Sequence, residues 1–300
     1  MEKFLAIDTM NRPFYCMPEV TKDWFDHYEY QMLAKTTFAG VVKRLGLKPG
    51  EEWKVLGFAG HPDVKSMIKE MDDVGVEYTF MDQCMQWSRR DNTILCQYTI
   101  EQIVEIMKQA GPRVIGGVGY NPFRIKESLE AIEMAVKKYG FKYVWAHPIC
   151  WGISFNDKKM YPLYMKCIEL DIPCCFQTGH SAEALTSEPG HPMYADEAVL
   201  DFPQCTFVLT HTGFPWIEEW ISMVWKHSNV YGNIGAYMPS DLDPDLVKFM
   251  DGRGRDKVMW ATNGLGLTRC LKEFMELPIR DDNKKKILRD NALKVFKLKG

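Results

Sequence analysis

Nine polar side chains stand at or just past the ends of short apolar runs: Asp8, Gln83, Asn121, His147, Gln177, His180, His211, Asn233 and Asn263. Histidine is the usual proton carrier near neutral pH, so His211 is the expected general acid or base. Asp8 would hold His211 as a charged partner or act as the base itself. Gln177 and Asn263 carry amides suited to fixing substrate oxygens. His180 either binds substrate or caps the segment after it, and His147, just before Pro148, serves either substrate or loop structure. Asn11, Arg89 and Trp24 complete the expected substrate-binding set; Arg89 and Arg90 either meet a carboxylate through a bidentate contact or are surface charge. Cys175 sits inside an apolar run and reads as packing rather than as a nucleophile.

These residues share a site only if the chain brings the ends of its apolar runs together. Residues 142–181 show how it does so. Two short runs, 143–146 and 174–176, flank a helical spacing of Leu163, Met165, Cys167, Ile168 and Leu170. Runs apolar throughout suit parallel strands covered on both faces, so the unit is βαβ. The same alternation continues along the chain, with strands expected at 4–9, 77–82, 114–118, 143–146, 174–176, 206–210, 230–234 and 258–261. Helices fall between them, and a closing helix covers 284–296. Eight strands with no break in composition predict one (β/α)8 barrel over 1–300, whose strand ends open on a single cavity. An open doubly wound sheet is the alternative, but no GxGxxG follows a strand. Residues 10–60 are too long for a βα loop and rich in aromatics, among them Tyr15, Trp24, Tyr28, Tyr30 and Phe38. They predict an inserted lid over the strand ends or an aromatic contact between subunits.

Composition excludes several partners. The chain is 46% hydrophobic and 26% charged with a net charge of −3, and its longest basic run is three lysines at 284–286. That gives no footprint for nucleic acid. No apolar run reaches the length of a membrane span. The start of the chain enters a strand pattern without a signal-peptide core, and the nine cysteines lie mostly in apolar runs. A cytoplasmic protein with reduced cysteines is expected. The three tryptophans in 215–226 suggest a packed interface or a thick core, and a homo-oligomer is expected.

The segments AHP at 146–148, PLY at 162–164, QTG at 177–179, DFP at 201–203, LTHTGFPW at 209–216 and NVYGNIGA at 229–236 occur in a telling order. In these the chain resembles the amidohydrolase-related (amidohydrolase 2) family of metal-dependent TIM barrels. The likeness is to the branch with aminocarboxymuconate-semialdehyde and resorcylate-type decarboxylases, and runs from Phe4 to the C-terminus. The resemblance implies a metal site, but most of its ligand positions are replaced. Strand one reads Asp8-Thr9-Met10 where the family carries D/E-x-H or H-x-H. Gln177 stands for a histidine on strand five, and Asn263 for an aspartate on strand eight. Amides and a thioether are poor donors for zinc or manganese.

The expectation is therefore an enzyme without a metal cofactor, a lyase of decarboxylase type or a hydrolase, acting on a small carboxylated or cyclic organic acid. By the resemblance, His211 matches a position that acts in proton transfer or metal-water activation in the family. One alternative is a divalent metal such as zinc held by Asp8, His147, His180 and His211 in an altered geometry. The other is a non-catalytic barrel that binds a ligand or a partner.

Overall fold

The computed structural model describes residues 4–13 and 18–300. Eight parallel strands run in chain order: β1 (Ala6–Asp8), β2 (Val76–Asp82), β5 (Val114–Gly119), β6 (Tyr143–Ala146), β7 (Cys174–Gln177), β8 (Phe207–Thr210), β9 (Val230–Asn233) and β10 (Val258–Met259). The remaining two, β3 (Gln86–Ser88) and β4 (Thr93–Cys96), pair antiparallel as a hairpin after β2. No strand is expected there from the sequence. The sheet's outer strands, β1 and β10, meet through backbone bonds from Thr9 N to Trp260 O (3.2 Å) and from Thr262 N to Met10 O (3.3 Å). The expected barrel is therefore present.

Two apolar layers hold it. One fills the barrel, with Ile7, Phe80, Ile115, Tyr143, Trp145, Cys175, Val208 and Met259 contributed by successive strands. Gly117 makes room for this layer: a Cβ there would lie 2.2 Å from the Tyr143 ring. The C-terminal helix Asn291–Phe296 plugs the barrel's far end, where Phe296 packs on Phe80 at 4.5 Å between ring centroids. The second layer lies between the strands and the outer helices, whose apolar residues follow a helical period, as in Val64–Val74 with Val64, Met67 and Met71 buried. All eight described cysteines are buried and reduced, and burial pushes the Cys175 thiol up, away from nucleophilic chemistry.

The insertion after β1 folds into short helices, including Asp23–Asp26, Tyr28–Lys35, Ala39–Leu45 and Glu52–Phe58. They pack over the C-terminal ends of the strands. Tyr15 lies outside the described residues. Within 215–226, Trp220 is core while Trp225 is exposed and lies under the Arg253 guanidinium. Among the described residues no helix is long and apolar enough to cross a membrane.

Candidate active site

A cavity of about 230 Å³ opens at the C-terminal ends of the strands. Its floor is Arg12, Trp145, His147, Gln177, His211 and Asn263. Tyr30, Leu33, Thr37, Phe38 and Leu56 from the insertion form its roof, and His180, Glu183, Tyr237 and Leu265 its side. The volume is room for roughly eight water-sized groups, so the site suits a small ligand.

The backbone at this rim is unusual. Non-glycine residues with positive φ include Cys84, His211, Thr212, Ala236 and Asn263, with φ of 47°, 69°, 59°, 72° and 53°. Four of these line the cavity. Such conformations cost on the order of 1 kcal/mol or more each and gather where a side chain must be aimed. His211 is aimed in this way. Its backbone N–H donates to Asn233 Oδ1 at 3.4 Å. Its Nδ1 lies against the Gly235 backbone and has no well-formed hydrogen bond. Burial, and then the positive charge of Arg12, hold His211 well below the ordinary histidine value, so its imidazole is neutral at pH 7. His147 accepts from Cys150 N at 3.2 Å through Nδ1, which leaves its proton on Nε2. Burial lowers its pKa to about 4.

Arg12 was not singled out from the sequence, and it is the centre of the floor. Its side chain is 4% exposed and pairs with Asp82, Nη1 lying 3.0 and 3.2 Å from the two carboxylate oxygens. Nε donates to Asn263 Oδ1 at 2.7 Å, and Nη2 meets the Met10 sulfur at 3.4 Å. The guanidinium also lies 4.7 Å over the Trp145 ring. Burial alone would lower the pKa of Arg12, but the Asp82 charge outweighs it and the group stays protonated. Burial raises Asp82, opposed first by the Arg12 charge and then by the Cys84 N–H at 2.7 Å. The only sequence signal was an arginine two residues beyond Met10, in a stretch with no strand pattern.

Several expected residues have other roles. Asp8 does not hold His211: Thr262 N, Thr262 Oγ1 and Met10 N occupy its carboxylate at 2.8, 2.7 and 3.3 Å. It clasps the seam where the barrel closes. Burial nevertheless raises its pKa to about 7 against these bonds. Asn11 donates to Thr79 Oγ1 and accepts from Arg12 N, so it shapes the loop and does not line the cavity. Trp24 is buried against Tyr30 and Tyr98, inside the lid. Arg89 is exposed on the hairpin turn and lines a separate hollow with Trp87, Phe123 and Trp151. Gln83 donates to Tyr98 O and accepts from Gly119 N. Asn121 and Asn233 likewise serve backbone N–H groups. Gln177, His180, Asn263, His147 and His211 are brought together.

The donors present do not suit a divalent ion. Among the described residues no three His, Cys, Asp or Glu side chains gather in a way that could hold one. Both inner histidines face a fixed cation, and Asp8 is turned to the seam.

No curated protein sequence matches the chain at a significant level. Solved structures resemble it over nearly all its length. An uncharacterised TIM-barrel protein of Bordetella bronchiseptica is 20% identical at a TM-score of 0.69, covering 97% of each chain. The 2,6-dihydroxybenzoate decarboxylase of Rhizobium is 15% identical, with a TM-score of 0.65 and all of both chains covered. The 5-carboxyvanillate decarboxylase of Novosphingobium aromaticivorans, complexed with manganese and 4-hydroxy-3-methoxy-5-nitrobenzoic acid, is 15% identical at 0.69, covering 98% of this chain and 96% of that one. At these identities the likeness is one of fold. The amidohydrolase family model matches residues 86–298. With that match over more than half of its length, the chain belongs to the amidohydrolase family, whose enzymes are hydrolases and lyases.

Proposed function

We propose that the cavity is the active site of a metal-independent lyase or hydrolase of a small carboxylated or cyclic organic acid. The carrying observation is His211, a neutral imidazole set by a left-handed backbone into a buried pocket beside a fixed cation. A neutral histidine is a base. In hydrolysis it would take a proton from water attacking the substrate; in a decarboxylation it would take one from a substrate hydroxyl and return it to the carbon left as the bond to the carboxyl breaks and CO2 departs. Arg12 would stabilise the negative charge that develops on substrate oxygen. Gln177 and His180 would position the body of the substrate, and Leu33, Phe38 and Leu56 would exclude water from it.

The decarboxylase neighbours support an acid as substrate, and the chemistry of the donor set supports metal independence. We also infer a homo-oligomer, with exposed Trp225 on the contacting face. A screen of small aromatic and unsaturated carboxylic acids and their lactones, with chelator present, tests the reading. Turnover of at least one compound, lost in His211→Ala, is the expected result. No turnover by a well-folded protein, or turnover that chelator abolishes, would overturn it.

A further inference from the structure

The hydrogen-bond inventory of the cavity is incomplete in one direction. An arginine has five N–H groups. In Arg12, Nε is spent on Asn263 and Nη1 on Asp82. Nη2 has two, and its one partner among the described residues is the Met10 sulfur, a weak acceptor. Trp145 is 1% exposed and its Nε1–H has no partner. It lies in the same floor, its ring under the guanidinium. A buried donor without a partner costs about 1–3 kcal/mol; Trp145 Nε1–H is one, and Nη2 of the guanidinium above its ring has only a thioether, so a strong acceptor is wanting there. Leu33, Phe38, Leu56 and Leu265 line the same cavity and give it apolar surface.

We infer that Arg12 is the resident cation of this barrel, in the place of a metal ion, and that its Nη2 edge together with Trp145 Nε1–H receives the carboxylate of a small acid with an apolar body. The inference rests on the reading of this cavity as a small-acid site. The surroundings of Arg12 are suited to a guanidinium. Asp82 neutralises it, anchored by the Cys84 N–H, with the Tyr143 hydroxyl 3.4 Å away. A neutral amide at 263 and a thioether at 10 accept from it without adding charge. Arg12, already paired with Asp82, is the one arginine or lysine among the described residues lining the cavity, and Glu183 lines it too, which disfavours a second ligand carboxylate and so favours a monocarboxylate over a dicarboxylate.

The test is binding, independent of turnover. Calorimetry at pH 7 with EDTA would measure acetate, crotonate and benzoate, each against its neutral amide. At least one acid should bind at least tenfold more tightly than its amide. Trp145→Phe should weaken that acid several-fold and leave the amide unchanged. The double variant Arg12→Gln/Asp82→Asn removes the cation without stranding a carboxylate and should abolish the preference. Should it fail to fold, Arg12→Lys decides, because it keeps the charge on Asp82 but loses the fork; it should weaken the acid several-fold. No preference in any pair, a preference that EDTA removes, or full preference in the deciding folded variant would each overturn the inference. A preference that depends on Arg12 in a protein that turns over nothing would sink the enzyme reading and leave this one standing. Turnover with Arg12-independent binding would do the reverse.

Discussion

The Arg12 guanidinium and the Asp82 carboxylate form a buried ion pair in the mouth of the barrel, at 3.0 and 3.2 Å. Asp82 ends β2, and Arg12 lies four residues past the end of β1. Removing one member strands the other in a place without water, at a cost of about 3–5 kcal/mol, while removing both charges together costs much less. Asp82→Asn should therefore lose several kcal/mol in urea unfolding, and the double variant Arg12→Gln/Asp82→Asn should recover most of it. A loss in the double variant equal to the sum of the Arg12→Gln and Asp82→Asn losses would mean the pair is not coupled.

Asp8 gives a prediction about pH. Its pKa in the fold is about 7 against an ordinary 3.8. Between these values the folded chain binds more protons than the unfolded one, so this group lowers stability as pH rises from about 4 to about 7. His147 works oppositely, since its pKa falls to about 4 and its contribution is lost as pH drops below 6.5. The two mask each other in the parent. The difference in unfolding free energy, parent minus Asp8→Asn, isolates Asp8 and should fall with rising pH by on the order of a few kcal/mol. A difference that is flat from pH 4 to 7 would show that Thr262 and Met10 hold Asp8 near its ordinary value.

The lid separates binding from stability. Phe38 lines the cavity, whereas Trp24 is packed inside the lid at 5.3 Å from the Tyr98 ring. Phe38→Ala should raise the Kd for a bound acid with little change in Tm. Trp24→Ala should cost about 3–5 kcal/mol of stability, the usual cost of emptying a large core position. The opposite pattern in melting and titration would place the lid's contact surface elsewhere.

For His211 the expected signature is kinetic. His211→Ala should lower kcat by about 10²–10⁴-fold, the usual contribution of a general base. Affinity for the acid should change little, because Arg12 and Trp145 hold it. With its pKa well below 6.5, His211 stays a competent base in mild acid. The parent's kcat should therefore hold its plateau as pH falls through 6.5. An acid limb centred at 6.5 or above would assign the base to another group.

The barrel was legible because it repeats. Each strand is a short apolar run followed by a polar residue, and the helices at 100–110 and 125–139 lie where their periodicity puts them. The hairpin β3–β4 was missed because three- and four-residue strands in a polar loop leave no period to read. At the candidate site, Gln177, His180, His147, His211 and Asn263 were legible for the same reason as the strands: they stand at the strand ends or one to four residues past them. The Asp8–His211 partnership was not, since two strand-end groups can face the cavity or the neighbouring strand, and Thr262 takes Asp8 at 2.7 Å. Arg12 was illegible because its meaning comes from Asp82, seventy residues away, and from an amide 251 residues away. No local pattern records a contact of that kind.

The claim that a guanidinium does the work of a metal ion is tested most directly by elemental analysis of purified protein, produced with and without manganese and zinc in the medium and then dialysed. The account predicts well under one equivalent of any divalent metal per chain in both preparations, with Tm unchanged by EDTA. One tightly held equivalent of manganese or zinc per chain, with a Tm that falls when it is stripped, would contradict it.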